Sequence, residues 1–256
     1  MCNPASFVIV KKGSSLKALW YKSISESHEN IIDHFKLREK NVRGEYLFAR
    51  VEITPPNNDF TKPLSKWKYK LDESDTSYLP VWWDNRKAEK AARMELKEWR
   101  KTKIILPKQN RKKITQTDYI VMCLGTIDSV DGGTINSVDG GTINWVDDGT
   151  INSVYDGTIN NVYGGTINSV DGGTINRVYD GTINSVDGGT INKVHSGTID
   201  WVHSGTINRV YGGTINSVDG GTVIYYKKPD VSILKKGNAV IIDRSGKTPI
   251  CYVDKQ

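Results

Sequence analysis

The chain of 256 residues is poor in cysteine and has no long apolar segment. Its three cysteines, Cys2, Cys123 and Cys251, are far apart and odd in number, which fits a reducing compartment better than a disulfide framework. No stretch approaches the roughly 18 consecutive apolar residues of a membrane-spanning helix. The first ten residues lead straight into the polar turn Lys11-Lys12-Gly13, unlike a signal peptide. We therefore expect a cytoplasmic protein.

Motifs typical of common enzyme classes are also missing. The sequence has no Walker motif, dinucleotide fingerprint, His-Glu-x-x-His motif or nucleophile elbow. This predicts a non-enzymatic protein without cofactor or bound metal. The weak catalytic candidate is Cys2, because removal of Met1 would leave an N-terminal cysteine whose own amine can act as its base. His28, Glu29 and His34 are the nearby groups in the sequence that would assist it.

An eight-residue repeat dominates the second half of the chain. Twelve octads run without a gap from Gly125 to Gly220, and a thirteenth decays after Gly221. Counted from the first glycine, Gly, Thr, Ile and Val are invariant at positions one, two, three and six, and Asn fills position four except at Asp128 and Asp200. Invariant β-branched residues between variable polar ones predict inward and outward sides of short strands, here two three-residue strands per octad with a bend between positions four and five. Glycine every eighth residue opposes a helix, so the pattern predicts a β-solenoid.

Two octads per coil fit the variable positions best. Position five holds Ser in five of the six even-numbered octads, whereas the odd-numbered ones carry Trp, Asn, Arg or Lys after Ser129. The octads then give six coils, a short β-helix-like rod about 30 Å long at the usual strand spacing. A sixteen-residue duplication unit would leave the same alternation without a structural cause, and that alternative stays open.

The predicted organisation is an α+β N-terminal domain, an all-β solenoid and a C-terminal β-hairpin cap. We place a basic head at 1–105, a linker leading into the solenoid at 106–124, the octad solenoid at 125–224 and the cap at 225–256. The expected head elements are a hairpin over 7–21, a helix capped by Ser27, strands at 47–53 and 67–71, and a helix from Asp84 to about Arg100. The cap hairpin is expected from strands at 239–243 and 249–253.

Charge is distributed unevenly along the chain. Residues 1–124 carry 25 Lys and Arg against 15 Asp and Glu, the octads carry three against eleven, and residues from 221 onward carry seven against three. The basic head suggests nucleic-acid binding through residues 86–113 as one candidate function. The solvent-exposed face of a helix that packs on a protein core has the same basic composition, so this segment also fits a purely structural role.

The odd-numbered octads supply the candidate binding face of the solenoid. Basic residues at position five and aromatic residues at position seven would align there, a composition that suits a protein partner and, less well on an acidic rod, a nucleic acid. The candidate residues are Trp145, Tyr163, Arg177, Tyr179, Lys193, His195, Arg209 and Tyr211. His195 and His203 fall on opposite sides of a two-octad coil, which argues against a shared metal. Self-association through the ends or faces of the rod stays open.

The sequence resembles an uncharacterised family of phage-encoded proteins. The resemblance rests on the opening Met-Cys-Asn-Pro-Ala-Ser-Phe-Val, Ser27-His28-Glu29, the segment 51–56, the Gly-Thr-Ile octads and the closing segment 249–253. It implies a phage or prophage origin and a location in the host cytoplasm. It does not assign a catalytic or binding role to any residue of this chain. Together with the repeat, it favours a non-enzymatic protein whose solenoid binds a protein, such as a host factor during takeover or counter-defence. The alternatives are nucleic-acid binding by the head and an enzyme that uses Cys2.

Overall fold

A computed structural model of the chain describes residues 5–21, 27–72, 78–226, 234–235 and 237–253. The chain divides into two compact units, residues 1–101 and 102–256, which we call the head and the solenoid unit. The predicted fold class is confirmed: an α+β region with few elements precedes a β-solenoid of about eight turns that ends in a strand hairpin.

In the described part of the head, four strands form an antiparallel sheet in the order β2-β1-β3-β4. The elements are β1 (Ala5–Lys12), β2 (Ser15–Leu19), α1 (His28–His34), β3 (Phe48–Thr54), short 3-10 turns at Pro56–Asn58 and Leu64–Lys66, β4 (Lys68–Leu71) and α2 (Asn85–Lys103). The helix caps are those expected from the sequence, since Ser27 accepts from the backbone N–H of Asn30 and Asp84 from that of Lys87. The predicted hairpin, strands and helices of the head are therefore present.

One face of the head sheet packs against α2. Ala88, Ala92, Leu96 and Trp99 are buried on one side of this helix, at the spacing of a single helical face. Trp20 links the layers, because its ring lies 4.9 Å from that of Phe7 in β1 and 5.7 Å from that of Trp99. Aromatic rings thus join aliphatic side chains in the core of the head.

After the end of α2, the regular elements that the structure describes in the solenoid unit are strands, most of them two to five residues long. They are β5 (Ile104–Ile105), β6 (Asn110–Ile114), β7 (Tyr119–Ile120), β8 (Met122–Cys123), β9 (Thr126–Val138), β10 (Thr142–Val154), β11 (Thr158–Val162), β12 (Thr166–Val170), β13 (Thr174–Val178), β14 (Thr182–Val186), β15 (Thr190–Val194), β16 (Thr198–Val202), β17 (Thr206–Val210), β18 (Thr214–Val218), β19 (Thr222–Tyr225), β20 (Leu234–Lys235), β21 (Val240–Asp243) and β22 (Ile250–Tyr252).

Each strand of the repeat pairs in parallel with the strand two octads away. Ile143 faces Ile159, Ile159 faces Ile175, and this sixteen-residue offset holds throughout the array. One coil is therefore two octads, as predicted. Most octads form one five-residue strand at positions two to six rather than two three-residue strands. The side chains at positions four and five are both partly exposed, so two adjacent residues face outward within one uninterrupted strand.

Isoleucine and valine fill the interior of the rod. Every octad Ile and Val is at most 1% exposed, and together they form one continuous cluster that extends from Ile105 to Ile241. The predicted inward and outward assignment is correct. Backbone ladders between coils hold these stacks at the usual strand spacing of about 4.8 Å.

The first glycines of the octads, which lie at the turns between successive strands, show that the sixteen-residue alternation is structural. The first glycine of every even octad, such as Gly165 at φ +76°, has the left-handed conformation, whereas that of the odd octads from Gly125 to Gly189 does not. A Cβ on Gly165 would also lie 2.6 Å from the carbonyl oxygen of Gly149 in the coil below. From Gly125 to Gly189 the two octads of a coil thus differ in backbone conformation, which a duplication relic alone would not require, whereas Gly205 has the left-handed conformation of the even octads.

The solenoid extends beyond the octads at both ends. In the segment expected to be a linker, β6 pairs with β9 at the same sixteen-residue offset, with Ile114 opposite Val130. Residues from 104 onward therefore build the first coil, and the rod has about eight turns from 104 to 243 rather than six. At the other end β21 pairs in antiparallel fashion with β22, which is the predicted hairpin.

Candidate interaction surface

Position-five side chains of the odd octads align in one column along the rod. Trp145 lies opposite Asn161, Asn161 opposite Arg177, and Arg177 opposite Lys193. Arg209 follows at the same position of the next coil. The column carries all three basic residues of the octads, and at a strand spacing of about 4.8 Å its charges lie close enough to act on one ligand.

A ladder of stacked rings lies at position seven of the same octads. Tyr163 and Tyr179 have ring centroids 4.8 Å apart and nearly parallel planes, and His195 stacks 5.0 Å beyond Tyr179. Tyr211 and Tyr226 continue the ladder at 5.4 Å and 5.7 Å. Such stacking stabilises the rod by about 0.5–1.5 kcal/mol per pair beyond area burial.

Asparagine side chains at position four form a second ladder on this face. Asn176 donates its Nδ2 to Oδ1 of Asn160 at 2.8 Å and accepts from Asn192 at 2.9 Å. The ladder is directional, because each amide donates toward the N-terminal end of the rod. Sequence reasoning missed this column as part of the site, although asparagine at position four in ten of the twelve octads was the available signal.

The asparagine and position-five columns together line a groove of about 810 Å³. Trp145 lies at one end, and Ile224, Tyr226 and Arg244 lie at the other. The lining residues are Asn144, Trp145, Asn160, Asn161, Asn176, Arg177, Asn192, Lys193, Asn208, Arg209, Ile224, Tyr226 and Arg244. Four of them are cations and none is a carboxylate, which makes this groove electropositive on a repeat rich in aspartate.

The predicted binding residues therefore divide into two groups. Trp145, Arg177, Lys193 and Arg209 line the groove, and Arg177 has Nη1 3.4 Å from Oδ1 of Asn161. Tyr163, Tyr179, His195 and Tyr211 form the ring ladder on the same octads without lining the groove. Arg244 and Tyr226 were not predicted, because they lie beyond the regular octads.

The even octads present a different surface. Ser169 and Ser217 donate to Asp171 and Asp219, two residues further along, at 2.7 Å and 2.9 Å. His203 lies in this series, with Nδ1 3.6 Å from Asp219, whereas His195 lies in the ring ladder of the odd octads. Burial raises the pKa of Asp139 here, and the nearby charge of Asp156 raises it further. Serine hydroxyls and carboxylates on this face largely bind one another.

Of the groups considered for catalysis, the three assisting side chains fall within the described residues. Cys2 lies outside the described residues, while Cys123 is buried in the solenoid core, where burial raises its pKa to about 12. Of the three assisting groups, His28 contacts Asp72, and the ring of His34 packs against Tyr21 and Phe35. Glu29 is exposed in the first turn of α1.

The proposed nucleic-acid segment 86–113 is divided between the two units. Within α2, Arg93 donates to Glu89 and to the carbonyl oxygens of Leu64 and Trp67, and Arg100 donates to that of Thr61. Arg86, Lys90 and Lys97 line a smaller surface groove of about 380 Å³ with Met94. Part of the positive charge of this helix is therefore used to hold the head together.

These features define a short β-solenoid repeat protein with one electropositive face. In comparisons with protein-family models, curated proteins and solved structures, nothing matched this chain. Among the described residues, no helix combines the length and the apolar character that a membrane crossing requires.

Proposed function

We propose that the protein is a non-enzymatic interaction protein whose solenoid groove binds an acidic segment of a protein partner. The observation that supports this most is the composition of the groove, with Arg177, Lys193, Arg209 and Arg244 along it and no carboxylate among its lining residues. Complementary charge gives such a surface its specificity and speeds association.

The surroundings of the groove favour a protein over a nucleic acid. The octads carry eleven aspartates and only three basic residues, so a long polyanion that extends beyond the groove would meet repulsion. A peptide places its acidic side chains locally and contributes apolar contacts for Trp145, Ile224 and Tyr226. The column of asparagines adds amide groups that can bind a peptide backbone.

The rod is suited to presenting this surface without rearrangement. Its ring and asparagine ladders hold successive coils in register, and a preorganised site loses little conformational entropy when it binds. The lining residues are amides, cations and apolar groups, which bind and orient a ligand but include no thiol, imidazole or carboxylate for acid–base or nucleophilic chemistry. The resemblance to phage-encoded proteins supports a protein of the host cell as the partner.

A binding experiment with two matched probes tests the proposal. We would titrate the protein with a fluorescent peptide rich in Glu and Asp and with a single-stranded oligonucleotide of equal net charge, both at 0.15 M salt. The peptide is expected to bind more tightly. A variant with Arg177, Lys193 and Arg209 changed to Ser, the residue that even octads use at position five, should bind it at least about tenfold more weakly, since one lost charge-assisted hydrogen bond costs about 1.5–3 kcal/mol.

The control removes the same charge elsewhere. Lys11, Lys12 and Lys247 are exposed, and none of them lines the groove, so their triple change to Ser should leave peptide affinity within about twofold. Equal loss in both triple variants would show that net charge, not the groove, binds the peptide. Tighter binding of the oligonucleotide would favour the nucleic-acid alternative.

A further inference from the structure

Three potential metal ligands from separate elements converge in the head. His28 is the first residue of α1, Glu52 lies in β3, and Asp72 directly follows β4. One ligand atom from each of them lies within 4.8 Å of the others. They are distant in sequence, and the fold alone brings them together.

Regular structure holds each ligand in place. Glu52 lies opposite Ser6 of β1 and Lys70 of β4. The backbone N–H of Asp72 donates to the carbonyl oxygen of Arg50 at 2.9 Å. His28 is fixed at the start of α1 by the Ser27 cap. A binding site built on such elements is more rigid than one built on loops.

The ring of His28 has acceptor atoms facing both of its nitrogens. Nε2 lies 3.1 Å from the carbonyl oxygen of Val51, and Nδ1 lies 3.3 Å from Oδ2 of Asp72. A neutral imidazole that donates from Nε2 has a lone pair on Nδ1, and this lone pair faces carboxylates. The His28 side chain is only 7% exposed, so either a proton on Nδ1 or a cation must lie between Nδ1 and the carboxylates.

The 3.3 Å between Nδ1 of His28 and Oδ2 of Asp72 accommodates a shared cation, and the ligand oxygen of Glu52 lies within 4.8 Å of both. Charge-assisted N–H···O bonds are about 2.7–2.9 Å long, shorter than the 3.3 Å found here. Ligands about 2.0–2.2 Å from a zinc ion lie roughly 3.0–3.5 Å from one another at tetrahedral or octahedral angles. Donation of the second ring N–H to a backbone carbonyl is also what metal-bound histidines usually show.

Asp72 is oriented for such a role by its second oxygen. Oδ1 lies 3.3 Å from Nζ of Lys70, which leaves Oδ2 directed toward His28. Glu52, half-buried on the neighbouring strand, completes a set of one nitrogen and two carboxylate donors. Imidazole with carboxylates suits Zn²⁺ and similar ions, whereas Mg²⁺ and Ca²⁺ prefer oxygen ligands alone.

We propose that His28 Nδ1, Glu52 and Asp72 form a binding site for one divalent metal ion, with Zn²⁺ the best fit. The ion would join the start of α1 to the edge of the sheet formed by β3 and β4. It would neutralise the two carboxylates that face His28, and its binding would raise the thermal stability of the folded head by mass action.

Calorimetric titration of the full chain with Zn²⁺ tests this site. All proteins carry serine at Cys2 and Cys251, so that thiolates there do not bind the ion. We expect one ion per chain and a rise in the thermal midpoint with Zn²⁺ concentration. Glu52→Gln and Asp72→Asn preserve side-chain shape and should each weaken binding at least about tenfold. His34→Gln, on the same helix but outside the cluster, should bind as the parent does.

Two results would overturn the proposal. The first is a titration of the parent protein without saturable one-to-one binding, which would make His28–Asp72 a simple ion pair. The second is unchanged affinity in Glu52→Gln or Asp72→Asn while the midpoint without Zn²⁺ matches that of the parent. Should either variant unfold, the comparison of the parent with His34→Gln and the Zn²⁺-dependent midpoint of the parent still decide the question.

Discussion

At the scale of single residues, the rod depends on two inward positions per octad. Ile159 illustrates this, since it is fully buried between Ile143 and Ile175 in neighbouring coils. The burial is repeated with so little variation that each site has almost the same neighbours. Differences between octads are therefore confined to the outward residues.

An inward charge should disrupt the rod, whereas an outward one should not. Ile159→Asp buries a carboxylate and leaves a cavity, and we expect a loss of about 4 kcal/mol or more in the free energy of unfolding. Ser153→Lys places a cation at position five, where odd octads already carry Lys and Arg, and should change it by less than about 0.5 kcal/mol. Denaturant unfolding followed by circular dichroism measures both. Similar losses in the two variants would contradict the assignment of inward and outward sides.

At the scale of elements, the asparagine ladders add bonds that side-chain burial alone does not supply. On the odd octads the ladder is continuous from Asn144 to Asn208. On the even octads Asp200 accepts from Asn216 at 2.8 Å, but a carboxylate has no N–H to donate to Asn184. A single Asn-to-Asp difference thus interrupts the directional chain of amides.

This difference gives a pair of predictions with opposite signs. Asn176→Ala removes two ladder bonds and should lower the free energy of unfolding by about 1–2 kcal/mol. Asp200→Asn restores a donor toward Asn184 and removes a negative charge, so it should raise this free energy by about 0.5–1.5 kcal/mol. Chemical denaturation of both variants beside the parent measures the two changes. A stabilising Asn176→Ala or a destabilising Asp200→Asn would show that the ladder does not contribute as its geometry implies.

The sequence predicted the regular elements of the fold better than the irregular ones. The two-octad coil, the buried Ile and Val and the cap hairpin follow from local pattern, because the repeat supplies many copies of the same signal. The first coil does not, since β6 reads Asn-Arg-Lys-Lys-Ile and becomes a strand only by pairing with β9.

The candidate sites show the same limit. The basic column of the groove was predicted from spacing, whereas Arg244 reaches it through the irregular end of the array, where Val210 pairs with Tyr225 after a register shift. The cluster of His28, Glu52 and Asp72 depends on the register of the head sheet, which no local pattern in the sequence specifies.

At the scale of the whole molecule, the coil of sixteen residues is the unit that repeats along the rod. Deletion of residues 173–188 removes one complete coil and keeps odd octads above odd ones, with Lys193 and Arg209 still in one column. Deletion of residues 173–180 removes one octad and places Asp187 over Tyr163 at the junction. Gly181, which has positive φ, would then stack on Gly157, which does not.

The smaller deletion should therefore be the more harmful one. Stability in such arrays is roughly a sum of repeat and interface terms, so loss of one well-matched coil should lower the thermal midpoint modestly. The eight-residue deletion retains more chain but forms a mismatched interface, which we expect to cost at least about 2 kcal/mol more, a further fall of roughly 4–8 °C in the midpoint. The eight-residue deletion also moves Lys193 and Arg209 out of the column of Trp145, so binding of the acidic peptide should be lost. The sixteen-residue deletion should retain weakened binding.

Thermal unfolding measures the stability of the two variants, and the peptide titration measures their binding. If the eight-residue deletion were as stable as the sixteen-residue one and still bound the peptide, the single octad would be the repeating unit of this rod.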